Sequence, residues 1–582
     1  MKTKHLITGG LFTLGVMIPL LGWFALQPSA DLTTSVSASQ PVVLQIDERS
    51  NDKLAPIWKG DYYNLGSFEQ KVSAKTPEGK TWFQRGLVMC YGFNHEEAIR
   101  CFEKAIQAEP DMPMAYWGLA YAMGPNINNL EISTDQIAQA AQLLKLAQLH
   151  LDRTSEIEKQ LILALSKRYQ VPAPAVDQRA ASNKDYAESM RSLYQNHQDN
   201  ALVSALFAES LMILRPWNHW SKEGEPAAET PEIVAVLERS LKQWPDHPAL
   251  CHYYIHAMEA SPTPEVALPA ANRLRQRIPG SGHLVHMPSH IDVLVGDYKN
   301  VIRTNQLAIQ ADSVFLEQAG ADNFYTFYRL HNYHFLVYGA MFDGQCDLAE
   351  KAAQDLVGQI PETLLKEQTD FLDAFVPTIV HVKVRFGKWE DILQLPEYPD
   401  YLPTSRSIRH YARGLAYAAT GRVEQAREEQ KQFLAARQQV PETSILFNNT
   451  SLQILSVAEA MLEGEIAYRE GNFEEAFEQL REAVRRDDAL NYDEPWGWMQ
   501  PTRHALGGLL LEQGHHEEAI DVFRADLKRR PKNPWALRGL ANALRGDGQE
   551  TAAQEVEQLY QSACERSDVK IDRACFCQTM DQ

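Results

Sequence analysis

Cysteine is scarce in this chain: seven in 582 residues, scattered except for Cys564, Cys575 and Cys577 near the C-terminus. Disulfides therefore cannot be the main scaffold, and a pairing among the last three would only clip the tail to the last helix. Cys90 and Cys101 read as small buried apolar residues. No apolar/polar alternation runs long enough to imply a sheet, and low-complexity tracts are absent. Positive charge is in deficit, with 56 basic residues against 76 acidic ones and a net charge of −20, and nowhere do Lys and Arg gather with aromatics. Such a field repels a phosphate backbone, so no nucleic acid is expected as a partner. A Ser-His-Asp order, a phosphate loop and a cofactor fingerprint are also missing.

What is present is a repeat. The chain is too long for one ordinary core, which leaves several domains or a solenoid that grows by adding units. Trp82, Gly86, Ala98, Phe102, Ala105 and Pro110 recur in kind as Gly414, Tyr417, Gly421 and Ala426, as Gly464, Gly471, Ala476 and Ala483, and as Gly507, Gly514, Ala519, Phe523 and Pro531. Two amphipathic helices need small residues where they cross, an aromatic to fill the gap, and a breaker before the next pair.

These positions resemble the tetratricopeptide repeat family, in an exported bacterial form. The resemblance implies an all-α fold, a right-handed α-solenoid of helix-turn-helix units over residues 66–565, with a concave groove that holds a protein or peptide partner. Units are clearest near 79–146, 248–363, 407–440, 457–490 and 500–560, and residues 147–247 read as helix pairs with looser spacing. Residues 566–582 form a tail.

At the N-terminus, Lys2 and Lys4 precede an apolar stretch from Leu6 to Leu26 and a polar run rich in Ser and Thr. Residues 1–30 thus describe a signal peptide or signal anchor, and residues 31–65 a linker. The solenoid is expected outside the cytoplasm, periplasmic or extracellular, with possible anchoring to the membrane through this segment.

The histidines carry the chemistry. Seven of the 18 fall between residues 252 and 334, and they keep repeat register. His252 and His256 shifted by 34 land on His286 and His290, and a further shift past a 14-residue insertion takes His286 to His334. His283 and His331 occupy a second shared position, and Glu259 follows His256 by three residues. Steps of three and four residues keep side chains on one arc of a helix. Pro288 argues that the helix carrying His290 begins near Met287, which leaves His283 and His286 in the Gly280-Ser281-Gly282 loop.

Imidazoles at i and i+4, joined by a further imidazole or carboxylate, suit a divalent transition metal such as Zn, Fe, Cu or Ni. His252, His256, Glu259, His283, His286, His290, His331 and His334 are the candidate ligands. Tyr253 stands where a metalloprotease H-E-x-x-H motif needs its general base, so a zincin is disfavoured. The competing reading is a metal-free polar groove in which neutral imidazoles hold a partner.

Register places Phe83, Trp117 and Tyr121 on the same concave face as an apolar end suited to a partner segment. Glu209 is a further candidate carboxylate, and His219, between Trp217 and Trp220, reads as a packing residue. Two functions follow. One is an extracytoplasmic scaffold whose groove binds a partner and whose middle carries a metal. The other is a metal-dependent enzyme with an open coordination position.

Overall fold

Proline in the first turn opens the helices Pro77–Tyr91, Pro113–Ala122, Pro248–Met258, Pro403–Ala419 and Pro534–Gly546. Its fixed φ suits that position and its missing N–H costs nothing there. Ser133, Ser155 and Thr450 close capping boxes with Gln136, Glu158 and Gln453, which satisfies two backbone donors each time. The computed structural model describes residues 55–578. It is an all-α solenoid of helix pairs, from Pro77–Tyr91 with His95–Ala108 to Pro534–Gly546 with Glu550–Ala563. The loosely spaced stretch 147–247 also forms such pairs, among them Ala201–Met212 with Thr230–Gln243. Among the described residues, strands occur only as two short hairpins, at Trp58–Tyr63 and Ile445–Thr450.

Small residues stand where helices cross. A Cβ on Gly86 or Gly118 would fall 2.8 or 2.3 Å from the Phe102 ring, and one on Gly507 or Gly539 would fall 2.6 or 2.3 Å from the Phe523 ring. Each phenylalanine fills a notch between two successive inner helices.

The interior of the solenoid is closed. Pro77–Tyr91 packs against Pro248–Met258, and His252 Nδ1 donates to the Tyr91 carbonyl at 2.6 Å across 161 residues. From the other end, Gln500 Nε2 donates to the His381 carbonyl at 2.7 Å and Trp535 Nε1 to the Met341 carbonyl at 3.0 Å. Phe83, Trp117 and Tyr121, expected on an open groove, are consequently 0%, 0% and 3% exposed. That expectation is corrected: curvature brings the inner faces together, and apolar side chains there gain more from one another than from water.

The ends are packed too. Tyr62 and Tyr63, within the expected linker, are buried, and the Gly280 amide donates to the Asn64 carbonyl at 2.9 Å. In the expected tail, Ile571 and Ala574 are buried and Arg566 pairs with Asp343. Cys575 bonds to Cys577 and leaves Cys564 a free thiol, so the tail is held by packing and not by a disulfide to the last helix. Cys90 and Cys101 are buried thiols, as expected of small apolar residues. The apolar stretch from Leu6 to Leu26, with its signal or anchor role, lies outside the described residues. Within them, no helix is long and apolar enough to cross a membrane.

Buried apolar residues form two clusters, one reaching from Tyr62 to Tyr328 and the other beginning at Val293. The two interleave in sequence between Val293 and Tyr328, and the clustered histidines touch both: His252 and His283 lie against Phe93 of the first, His286 and His290 against Phe335 of the second.

The notch argument predicts that Gly118→Ala and Gly539→Ala each lower stability by about 1–3 kcal/mol through overpacking. Gly358→Ala, at a helical position with nothing within 4 Å of the added carbon, should be neutral or slightly stabilising. Denaturant unfolding of the three variants checks this, and a uniform response would refute the notches.

Candidate metal centre

Local sequence decides how each imidazole is presented. His252 and His256 are one turn apart on Pro248–Met258, with Glu259 capping the helix. Pro288 splits the next inner helix into Gly282–His286 and Pro288–Leu294. The break falls where the missing proline N–H dictates, but His283 and His286 stand on a helical turn of their own and not in the preceding loop. His331 and His334 belong to the uninterrupted helix Tyr325–Asp343.

Six histidines assemble as two triads. Ligand-type atoms of His252, His256 and His283 lie within 4.8 Å of one another, and so do those of His286, His290 and His331. The triads are copies: adding 34 to His252 and His256 gives His286 and His290, and adding 34 and the 14-residue insertion to His283 gives His331. Each triad therefore takes two imidazoles from one repeat and the third from the next.

Hydrogen bonds on the far side of the rings fix which nitrogen faces the centre. His252 Nδ1 donates to the Tyr91 carbonyl, which turns Nε2 toward His283 Nε2 at 3.1 Å. His256 Nδ1 lies 2.9 Å from one oxygen of Glu259, and His290 Nδ1 lies 2.7 Å from the other. His286 Nδ1 faces Asn305 Oδ1 at 2.6 Å, while Asn305 Nδ2 donates to the Val301 carbonyl at 2.8 Å. The amide orientation is thereby set, and His286 Nδ1 must carry a proton.

The consequence is sharpest between His286 and His290. Their Nε2 atoms are 2.7 Å apart, and both Nδ1 atoms are committed as donors. Two imidazole lone pairs cannot share that space unless a proton or a cation lies between them. Nitrogens bound to one zinc ion at about 2.0–2.1 Å stand about 3.3 Å apart, against 3.1 Å for His252 and His283 and 2.7 Å for His286 and His290. In the metal-free chain a proton serves. Burial works against charge on His290, but the carboxylates of Glu494 and Glu259 outweigh it and hold the imidazole up to about 10.

The surroundings are dry. His252, His256, His283, His286 and His290 are at most 3% exposed. Burial pushes His252, His283, His286 and His331 well below the usual imidazole range, so these four are neutral and free to ligate. Glu494 also lies against His290 Nδ1, and burial pushes its carboxyl up to about 8. His256 Nε2, His283 Nδ1 and His331 Nδ1 have no hydrogen-bond partner.

The remaining candidates differ in how they stand to the triads. Glu259 makes a third ligand group with His256 and His290, their ligand-type atoms within 4.8 Å of one another, and its two oxygens are the acceptors that orient those two rings. His334 turns away one helical step beyond His331, with Nε2 2.8 Å from Met499 Sδ and its ring against Phe375. Glu209 is buried elsewhere, near Arg168 and Tyr121, with its carboxyl pushed up to about 7 by burial. Sequence reasoning missed Asn305 and Glu494. The first shows no periodic signal, and the second lies two hundred residues away in an aspartate- and tryptophan-rich turn that reads as a helix cap.

Comparison with known proteins agrees with the repeat. Family models described as tetratricopeptide repeat match residues 504–568 and 92–112. The chain carries tetratricopeptide repeats at both of these places. No curated protein matches it. Among solved structures it is similar to a human IFIT1 dimer with PPP-AAAA, at 11% identity and a TM-score of 0.31, covering 82% of this chain and 89% of that one. A human IFIT1 dimer with m7Gppp-AAAA follows at 12% identity and a TM-score of 0.30, covering 84% and 91%. Likeness at this level carries no argument about ligands, and the expectation that this chain avoids nucleic acid rests on its charge alone.

Groups that hold Nδ1 tune the metal affinity of Nε2, and losing one typically weakens binding by about 10- to 100-fold. Asn305→Ala should weaken Zn(II) binding at one of two sites by that factor, and Glu259→Gln should weaken both. Chelator competition on the two variants distinguishes the outcomes, and unchanged affinity in both would remove the orienting role.

Proposed function

We propose that this chain is a tetratricopeptide scaffold that holds a pair of divalent transition-metal ions, Zn, Fe, Cu or Ni, one in each histidine triad. The observation that carries the reading is the 2.7 Å approach of the His286 and His290 Nε2 atoms, with both Nδ1 atoms held as donors. Three imidazole nitrogens in a dry, preoriented set are ligands of the kind these ions take. His252, His256 and His283 supply the first set, and His286, His290 and His331 the second. Solenoid repeats serve above all in recognition, so a protein or peptide partner is retained in the proposal. The apolar stretch from Leu6 to Leu26 supports action outside the cytoplasm, which fractionation of cells producing the full chain would test.

A metal-dependent enzyme is a second reading, and one observation favours it. Each triad offers three nitrogens, one fewer than a closed tetrahedral site needs, so each ion keeps an open position.

Metal analysis of the protein, produced without a histidine tag and reconstituted with Zn(II), tests the proposal. About two ions per chain are expected, about one in either His252→Ala/His256→Ala or His286→Ala/His290→Ala, and none when the four changes are combined. Circular dichroism should show the helices intact throughout. Absence of stoichiometric metal in the unmodified chain would overturn the reading.

A further inference from the structure

A second ligand set shares no residue with the histidine triads and does not depend on their loading. Ligand-type atoms of Glu465, Cys575 and Cys577 lie within 4.8 Å of one another. All three border a cavity of ≈ 40 Å³, room for about one ion and a water or two.

Glu465 stands in the last turns of the helix Ser451–Arg469 and is 2% exposed. Among the described residues it has no hydrogen bond, and its one ion pair, with Arg469 Nη2, is stretched to 4.0 Å. Burial pushes its carboxyl up to about 7. A buried carboxyl so poorly served calls for a partner, and a cation is the partner that stabilises its charged form.

The two cysteines are bonded to each other, but the turn that carries them is held by other contacts. The Arg469 guanidinium donates to the Cys577 carbonyl. Gln578 Nε2 donates to the Gly508 carbonyl at 3.0 Å, and the Phe576 ring meets the Trp535 ring edge-on at 5.8 Å. Cleaving the S–S bond therefore leaves both sulfurs beside Glu465. Cys575 is partly exposed, so a small reductant reaches it.

We infer that Cys575, Cys577 and Glu465 form a site for one thiophilic divalent ion such as Zn(II), closed while the two cysteines are bonded to each other and opened when a dithiol reduces them. A thiolate of the dithiol attacks Cys575 Sγ, the Cys575–Cys577 bond breaks, and its electron pair leaves on Cys577 Sγ, which takes a proton. The second thiolate of the reductant then displaces Cys575 Sγ, which is protonated in turn. The dithiol ends as a cyclic disulfide, and the chain gains two electrons and two protons. Binding of the ion to the two thiols releases those protons.

Thiolates are strong ligands for such ions, so the ion and the disulfide exclude each other. His504, on the same cavity, does not compete, because Nδ1 accepts from Arg385 and Nε2 donates to Asp526. Water completes the coordination. Two thiolates and a carboxylate leave one net negative charge around a divalent ion, and Arg469 beside Glu465 offsets it.

Co(II) added without air to the full chain, after reduction with dithiothreitol and removal of the reductant, tests this. Thiolate ligands give cobalt a near-ultraviolet charge-transfer band that imidazole and carboxylate ligands do not. The band should be absent from the unreduced chain and should saturate at about one cobalt per reduced chain. It should be lost in Cys577→Ser and equally in Cys575→Ser, whose partly exposed position leaves the fold intact by circular dichroism. Glu465→Gln should weaken the cobalt that gives the band by at least about tenfold in chelator competition. No band after reduction, a band that survives either serine variant, or an affinity indifferent to Glu465→Gln would overturn the site.

Discussion

The organisation of the histidine cluster depends on one buried carboxylate. Glu259 is 3% exposed and places one oxygen on His256 Nδ1 and the other on His290 Nδ1. Taking a carboxylate out of water costs several kcal/mol, and no lysine or arginine is paired with this one among the described residues' ion pairs. Two imidazole donors, one from each triad, repay that cost. Because each bond occupies Nδ1, each also turns Nε2 the other way. A single side chain thus orients a ring in both triads and binds adjacent repeats to each other. Glu494, pressed on the same His290 nitrogen from the far end of the chain, adds a third segment to the arrangement.

The pairing of the triads follows from the repeat itself. A unit that presents imidazoles one turn apart on its inner helix, copied once, presents a second pair beside the first, and the third ligand of each comes from the unit that follows. The copying ends at the next unit. His334 holds the position of His252 and His286, but Tyr338 stands where His256 and His290 would recur, and His334 meets Met499 instead. The 14-residue insertion does not disturb the pattern, because it lengthens Tyr298–Ala319 on the outer layer and returns the chain to register before His331.

Helix pairs, crossing glycines and the two histidine pairs are local in the sequence, and they were legible there for that reason. Each depends on contacts within one unit or with its neighbour. What was not legible depends on summed curvature. Whether Phe83, Trp117 and Tyr121 face a groove or a packed interior is decided by how far the superhelix turns over many units, and a few degrees per unit separate the two. The same closure supplies the Tyr91 carbonyl to His252 and Glu494 to His290, partners with no signature near the residues they serve. The hairpin at Trp58–Tyr63 and the residues after Ala563 lack helical periodicity, so they read as linker and tail until the surfaces that receive them have formed.

If the proposed ions bind, closure and metal occupancy are linked. The second triad joins helices packed in different apolar clusters, with His286 and His290 beside Met287 and Ile291 of one and His331 beside Leu330 of the other. Without ions, the chain buries His256 Nε2, His283 Nδ1 and His331 Nδ1 unpartnered, each a cost that apolar packing does not repair. A ligand that binds only the closed form stabilises it by mass action, about 4 kcal/mol at a thousand times its dissociation constant. In the proposed reading an ion in a triad would satisfy the nitrogens that face it, His256 Nε2 among them, and would tie the units that carry them, whereas His283 faces the centre with Nε2 and its Nδ1 gains nothing. The helix pairs on either side have apolar packing of their own and depend on it less. A histidine cluster placed inside either core would hold one region together. Where helices of the two clusters meet, an ion in the proposed second site would favour their staying closed on each other.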